Sequence, residues 1–364
     1  MHIFAVENNN KEGLKQILSL DLLATHVLLN MSDDYHVKLS NGVTYPLVGY
    51  GTWLASDADK LKNALRVALD AGYRYIDTAT LYNNEHIIGD VLQEYYDAGK
   101  VKREDLFLVT KLPSQGHHKE DVEYFIQQSL RNLRTNYLDM YLIHNACPMK
   151  KNEDMTAKWI NHGLSEPDTV PHIETWQELE KWYKKGTLKS IGISNFSIEQ
   201  LQDLYRQAEI KPQNLQIELH MYHRRREIVQ LCRDLNISVT SYGSLGSPGR
   251  FEDFHKLDPS REFPTRDLLN HPLVLELAKK YAKTPAQILL RHLVHLKIGV
   301  IPKSLTAERV RENFNIFDFK LTEGEIRRFD DEVKEDVKFF LYTHLANHPW
   351  FPPYEPYKGT PAKI

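Results

Sequence analysis

The chain has 364 residues, enough for two ordinary domains or one large α/β barrel. Hydrophobic residues at 41% and charged residues at 26% lie near globular averages, which excludes wholesale disorder and allows a large core. Lys and Arg number 46 against 49 Asp and Glu, a net charge of −3 without a basic block, which argues against nucleic-acid binding.

Within residues 1–30, Leu14, Ile17, Leu18, Leu22 and Leu23 recur at helical spacing behind the polar run Asn8-Asn9-Asn10. The segment lacks both the basic start and cleavage site of a secretory signal and the arginines of a mitochondrial presequence. It reads as an N-terminal extension, or as a start placed ahead of the true initiator Met31, and residues 31–364 read as one domain. No stretch reaches the roughly 20 apolar residues of a membrane-spanning helix. Only Cys147 and Cys232 occur, without metal-site spacing, which suits buried thiols, no metal and a reducing compartment. A cytoplasmic monomer is the expectation.

The domain opens on a predicted hairpin, residues 37–40 and 43–47, joined by Asn41-Gly42 in a type I′ turn. Eight short apolar runs follow as candidate strands: residues 73–76, 106–109, 138–143, 190–193, 215–217, 237–240, 298–301 and 316–317. Between the early ones lie helical patterns over residues 58–71, 86–98, 122–133 and 176–184. Strand then helix, repeated eight times, predicts an α/β fold, a single (β/α)8 TIM barrel. A doubly wound sheet would carry GxGxxG after its first strand, and none is present. Gly49-Tyr50-Gly51 stands ahead of the first predicted strand.

Catalytic side chains of such barrels stand where strands end. On this reading Asp77 ends the first strand, Lys111 the second, His144 the third, Asn195 the fourth, Gln216 the fifth, Tyr242 the sixth and Lys303 the seventh. One such residue is ordinarily a solvated rim residue; seven in succession are harder to explain that way.

These residues carry a resemblance to the aldo-keto reductases, aldose and aldehyde reductases among them, that runs from about Val37 to Tyr354. Residues 72–79 with Tyr82, Leu142-Ile143-His144, residues 192–196 and residues 301–304 are similar to four family signatures. Asp77, Tyr82, Lys111 and His144 follow one another at intervals of 5, 29 and 33 residues, as in the family's catalytic tetrad. The resemblance implies an NADPH-dependent oxidoreductase that reduces small aldehydes or ketones to alcohols. Carbonyl reduction leaves charge on an oxygen that must be protonated or held. Tyr82 would donate the proton, Lys111 would lower its pKa, Asp77 would keep Lys111 charged, and His144 would orient the carbonyl oxygen.

The resemblance also implies that Ser194, Asn195 and Gln216 hold the nicotinamide carboxamide, with Tyr242 stacked on the ring and Thr52 beside it. The loop at residues 243–247, with Leu245 and Ser247, would cover the pyrophosphate; Gly243 and Ser244 replace the family's Ser-Pro pair, which implies a more flexible loop. Lys303, Ser304 and Arg309, at the start of a short helix over residues 307–313, suit the 2′-phosphate, and Glu312 and Asn313 the adenine. Trp53 resembles the family's aromatic wall of the substrate pocket, which His144 and Asn145 complete. Asn145-Ala146 stands where the family has Trp-Pro, which should open and polarise that pocket. The tail after Tyr342, with Trp350, Phe351, Tyr354 and Tyr357, is expected to pack over the barrel mouth, surface anchoring being the alternative. A binding or structural role, known for some members of this fold, is the other class of function, and the intact tetrad argues against it.

Overall fold

The computed structural model describes residues 35–151, 166–250, 266–342 and 345–351, so residues 1–30, Tyr354 and Tyr357 lie outside the described residues. The chain starts with an antiparallel hairpin, β1 (His36–Lys38) against β2 (Thr44–Pro46), with Val37 opposite Tyr45. Its turn differs from the predicted type I′. Gly42 has φ +88° and Asn41 has no positive φ, while Gly42 N–H donates to Leu39 O (2.8 Å) and Leu39 N–H to Val43 O (2.9 Å). That is a three-residue loop, a tight turn closed by one left-handed glycine. Asn41 uses its side chain elsewhere, donating from Nδ2 to Lys189 O (3.0 Å) and so tying the hairpin to the rest of the fold.

Eight parallel strands follow, each paired with the next: β3 (Tyr50–Gly51), β4 (Tyr75–Asp77), β5 (Phe107–Leu112), β6 (Met140–Ile143), β7 (Ile191–Ser194), β8 (Asn214–Glu218), β9 (Ser238–Tyr242) and β10 (Gly299–Val300). The two edges meet. Val48 bridges Val300 in parallel, Val300 N–H donates to Leu47 O (2.7 Å), and Gly49 N–H donates to Val300 O (2.8 Å), so the sheet closes into a barrel. Two strand assignments need correction. Tyr50–Gly51 is itself the first barrel strand, too short and glycine-flanked to register as an apolar run. Ile316-Phe317 is not a strand, because Ile316 N–H turns back to Phe314 O (2.9 Å) and the seam is already taken by β3 and β10.

Around the barrel stand α1 (Ala58–Ala71), α2 (Glu85–Asp97), α3 (Lys119–Asn132), α4 (His172–Lys184), α5 (Ile198–Gln207), α6 (Arg226–Asp234), α7 (Pro272–Tyr281), α8 (Pro285–His295), α9 (Ala307–Phe314) and α10 (Glu323–Glu332). α3 and α4 begin about a turn before the predicted positions, because the opening turn of α3 is polar and that of α4 carries a single apolar residue, Ile173. Capping boxes at Ser197, Thr284 and Thr322 start α5, α8 and α10.

The hairpin closes the end of the barrel away from the strand C-termini. Tyr45 inserts among β4, β5 and β9, its ring 5.4 Å from those of Tyr75 and Phe107 and its hydroxyl 2.5 Å from Thr240 Oγ1. A Cβ at residue 299 would collide with that hydroxyl, so β10 needs glycine there. Cys147 and Cys232 are both buried, and burial pushes each thiol up to about 12. Among the described residues no helix is long and apolar enough to cross a membrane.

Candidate active site

At the strand C-termini β4 ends in Asp77, and the next strand presents Lys111 one residue before its own end. Both side chains are buried, at 2% and 0% exposure, and Lys111 Nζ donates to Asp77 Oδ1 at 2.6 Å and to Thr78 O at 2.8 Å. The other carboxylate oxygen accepts from Gln216 Nε2 (2.8 Å) and from the Tyr75 hydroxyl (3.4 Å). Burial draws the Lys111 pKa down and Asp77 opposes that, which is how a buried ammonium keeps its proton.

A single turn, Thr80–Tyr82, follows β4 and ends at Asn83 in the left-handed region, setting the Tyr82 ring beside this pair. Lys111 Nζ lies 5.2 Å from the centre of that ring, and the His144 ring stands edge-on to it at 5.6 Å. Burial holds the phenol well above its ordinary value, and Asp77 and Tyr342 add to the rise. The Lys111 ammonium beside the ring is directed at Asp77 and Thr78. His144 follows β6 directly; burial and Lys111 hold its pKa well below the usual range, so the ring is neutral. Its Nδ1 is buried without a hydrogen-bond partner among the described residues.

Ser194 ends β7, and Asn195 follows it at φ +62°. Asn195 Nδ2 donates to His144 O (2.9 Å) and Ser194 Oγ (3.1 Å), and its Oδ1 accepts from the Tyr242 hydroxyl (2.7 Å). Tyr242 ends β9, but Gln216 lies mid-strand in β8, whose last residue is Glu218. Thr52 is buried with its hydroxyl donated to Asp77 O (2.9 Å), so it braces the strand end.

In the loop after β9, Gly243, Gly246 and Ser247 all have positive φ. The Ser244 hydroxyl turns inward, 2.6 Å from Ser241 Oγ, and Arg250 donates to the carbonyls of Gly246 and Ser247. These hydrogen bonds tie the loop to the end of β9 and to Arg250. Leu245 is half-buried. Beyond β10, Lys303 and Arg309 are exposed, and Arg309 has no ion pair among the described residues. No side chain caps the first turn of α9, which leaves its amides free to meet an anion. The Ser304 hydroxyl accepts from Thr306 N–H (3.1 Å), Asn313 is buried and Glu312 half-buried.

Over this face lies the C-terminal segment. Phe340 stands between Trp53 (5.6 Å) and Tyr242 (5.4 Å), edge-on to both, and the Tyr342 hydroxyl is 2.9 Å from that of Tyr242. Asn145 is turned into its own loop, its Oδ1 accepting from Cys147 N–H (3.1 Å). Leu345 packs with Cys147 and Met149, and Gln200 Nε2 on α5 donates to Trp350 O (2.8 Å), so the described part of the tail is held both by the loop after β6 and by α5.

Three groups of functional candidates escaped the sequence reading. Asn84 donates to Thr52 O (2.9 Å) and accepts from the Thr78 hydroxyl (3.0 Å), locking the loops on either side of Tyr82. Glu218 accepts the backbone N–H of Phe339 and Phe340 (3.1 Å for the latter) and pairs with His220 (3.1 Å), contacts that hold its pKa down to about 2 against burial. Phe340 and Tyr342 are the third. The contacts that join each of them to the site reach across more than 25 residues, Asn84 to Thr52, Glu218 to Phe339 and Phe340, and Tyr342 to Tyr242, so no local pattern reports them.

Residues 47–334 match the model of the Aldo/keto reductase family. Aldo-keto reductase family 1 member A1 of Bos taurus is 38% identical over 338 residues, covering 88% of this chain and 98% of its own. The protein of that name from Gallus gallus is 41% identical over 291 residues, 80% of this chain and 86% of its own. The solved aldose reductase of Schistosoma japonicum superposes with a TM-score of 0.78 at 37% identity, over 88% of this chain and 99% of that one. With a closed eight-stranded barrel, a polar cluster at its mouth and relatives matched over most of their length, the chain belongs to the aldo/keto reductase family.

Proposed function

We propose that the chain is an NADPH-dependent reductase of small aldehydes or ketones, with Tyr82 as proton donor. The observation that carries the reading is the fully buried Lys111–Asp77 pair at 2.6 Å beside the Tyr82 and His144 rings. A protein kept only for binding gains nothing from a desolvated ammonium placed next to a phenol, because burying it is costly.

The donor set fits the cofactor. Arg309 is exposed and unpaired, the α9 first turn is uncapped, and Lys303 and Ser304 stand just before it, a combination suited to a phosphate. Ser194, Asn195 and Gln216 would hold the carboxamide and Tyr242 would cover one ring face; Leu245 and Ser247 would border the pyrophosphate, and Glu312 and Asn313 the adenine. When bound, NADPH supplies the hydride that reduces the carbonyl carbon.

The chain's own residues handle the proton. Burial keeps Tyr82 protonated at neutral pH, the state a donor must start from. As charge grows on the substrate oxygen, the phenol gives up its proton, and the Lys111 ammonium stabilises the phenolate left behind. Asp77 holds Lys111 charged and in place. The neutral His144 carries its proton on Nε2, since Nδ1 is enclosed without an acceptor, and donates it in a hydrogen bond that orients the substrate oxygen. Trp53 would border the pocket, whereas the Asn145 side chain is engaged in its own loop. The test is NADPH oxidation with a generic aromatic aldehyde by wild type and Tyr82→Phe; equal turnover would overturn the assignment.

A further inference from the structure

The hydroxyl of Tyr342 is joined to the ring shelf by hydrogen bonds. Asn195 Nδ2 spends both protons, on His144 O (2.9 Å) and Ser194 Oγ (3.1 Å), so the atom facing Tyr242 is Oδ1, which only accepts. Tyr242 therefore donates to Asn195 (2.7 Å), and the Tyr342 hydroxyl meets both the Tyr242 hydroxyl (2.9 Å) and the Asn195 side chain. The network joins Tyr342 and Tyr242 to Asn195 and through it to the main chain of His144, so it occupies Asn195, assigned above to the nicotinamide carboxamide, and fixes Tyr242, assigned above to cover the ring. Tyr342 holds this position at φ +48°, a left-handed conformation that a bulky residue adopts only against a steric penalty. Its ring packs against the cluster of Cys147, Met149 and Leu345, and Lys338 Nζ lies 5.9 Å from the ring centre.

We propose that Tyr342 is a displaceable cap on the nicotinamide shelf, and that its hydroxyl competes with the cofactor for Tyr242 and Asn195. The inference rests on the cofactor reading given under the proposed function. A cap lowers apparent affinity by the fraction of molecules that hold it, and release relaxes the strained backbone, so the cap can be opened by binding. Removing one neutral hydrogen bond from the capped form should tighten NADPH binding by about twofold to tenfold.

The experiment titrates wild type and Tyr342→Phe with NADPH and with adenosine 2′,5′-bisphosphate, which has the phosphate-bearing half of the cofactor and no nicotinamide. Tyr342→Leu is measured alongside, with a thermal melt of each protein to establish that it is folded. The expected result is tighter NADPH binding by both variants, with bisphosphate binding unchanged. Unchanged or weaker NADPH binding overturns the proposal, and so does an equal change for both ligands, which would mark a general structural effect. Failure of the wild type to bind either ligand would refute the cofactor reading itself, and the cap with it.

Discussion

Replacing Asp77 by asparagine removes one charge and leaves the volume almost unchanged, so its cost can be followed bond by bond. The asparagine retains one oxygen. If that oxygen faces Lys111, the new NH2 faces Gln216 Nε2 and the Tyr75 hydroxyl, and the 2.8 Å bond from Gln216 is lost to donor facing donor. Lys111 then keeps Thr78 O at 2.8 Å but no adjoining carboxylate, at 0% exposure. Breaking a buried pair costs about 3–5 kcal/mol, and the retained oxygen together with proton loss from Lys111 places the expected destabilisation near the lower end at pH 7. The sign of the pH dependence follows. Burial already depresses the Lys111 pKa and Asp77 resists, so removing Asp77 depresses it further. Between that lowered pKa and the unfolded value the folded state binds fewer protons than the unfolded state, so stability rises with pH across that window. Urea denaturation of wild type and Asp77→Asn at neutral and alkaline pH should therefore show a deficit that shrinks as pH rises. A loss below about 1 kcal/mol, typical of exposed ion pairs, or a deficit that grows with pH, would refute the reasoning.

Tyr82→Phe should retain NADPH binding while turnover with an aromatic aldehyde falls by about 10²–10⁴, the usual share of a general acid; near-normal turnover would remove Tyr82 from the chemistry. Arg309→Ala should weaken NADPH by at least about tenfold and NADH little, read by fluorescence titration at one salt concentration; equal losses would assign Arg309 to supporting α9. His117 and His292 are buried and each is pushed down to about 3 by burial. With folded values below the unfolded 6.5, their contribution is intact above 6.5 and declines as pH falls toward 3, by about 1.4 kcal/mol per unit for each. His292, stacked on Phe329 at 3.9 Å, is the one to replace, and His292→Phe should flatten the acid limb of a pH–stability profile; an unchanged limb would contradict the assignment.

Much of the barrel was legible because its inner strands are long apolar runs and α1 carries a full amphipathic repeat. Tyr50–Gly51 escaped, because two residues beside glycines have no period and their strand character comes from β4 and the seam. The hairpin's existence was readable from Asn41-Gly42, but its turn type was not: Asn41 was recruited by Lys189, 148 residues away. At the site, Asp77, Tyr82, Lys111 and His144 could be placed together because their intervals resemble those of the family's tetrad. The raised pKa of Tyr82 could not, since it comes from the burial of the ring and from Asp77 and Tyr342 beside it. Glu218, Phe340 and Tyr342 were invisible for the same kind of reason, each being defined by a partner from a distant part of the chain.

The seam between Val48 and Val300 sets a schedule for synthesis. Its two halves are about 250 residues apart, and a ribosome adding roughly 5–20 residues per second needs about 12–50 s to cover that distance. Throughout that time Leu47 O and Gly49 N–H, which will bond Val300, belong to an open sheet edge, and until Thr240 has been added the Tyr45 hydroxyl lacks its partner as well. A nascent chain stalled before residue 300 thus exposes the pairing groups of β3, and such edges recruit other chains. For this barrel the hazardous interval in translation ends only when β10 has emerged.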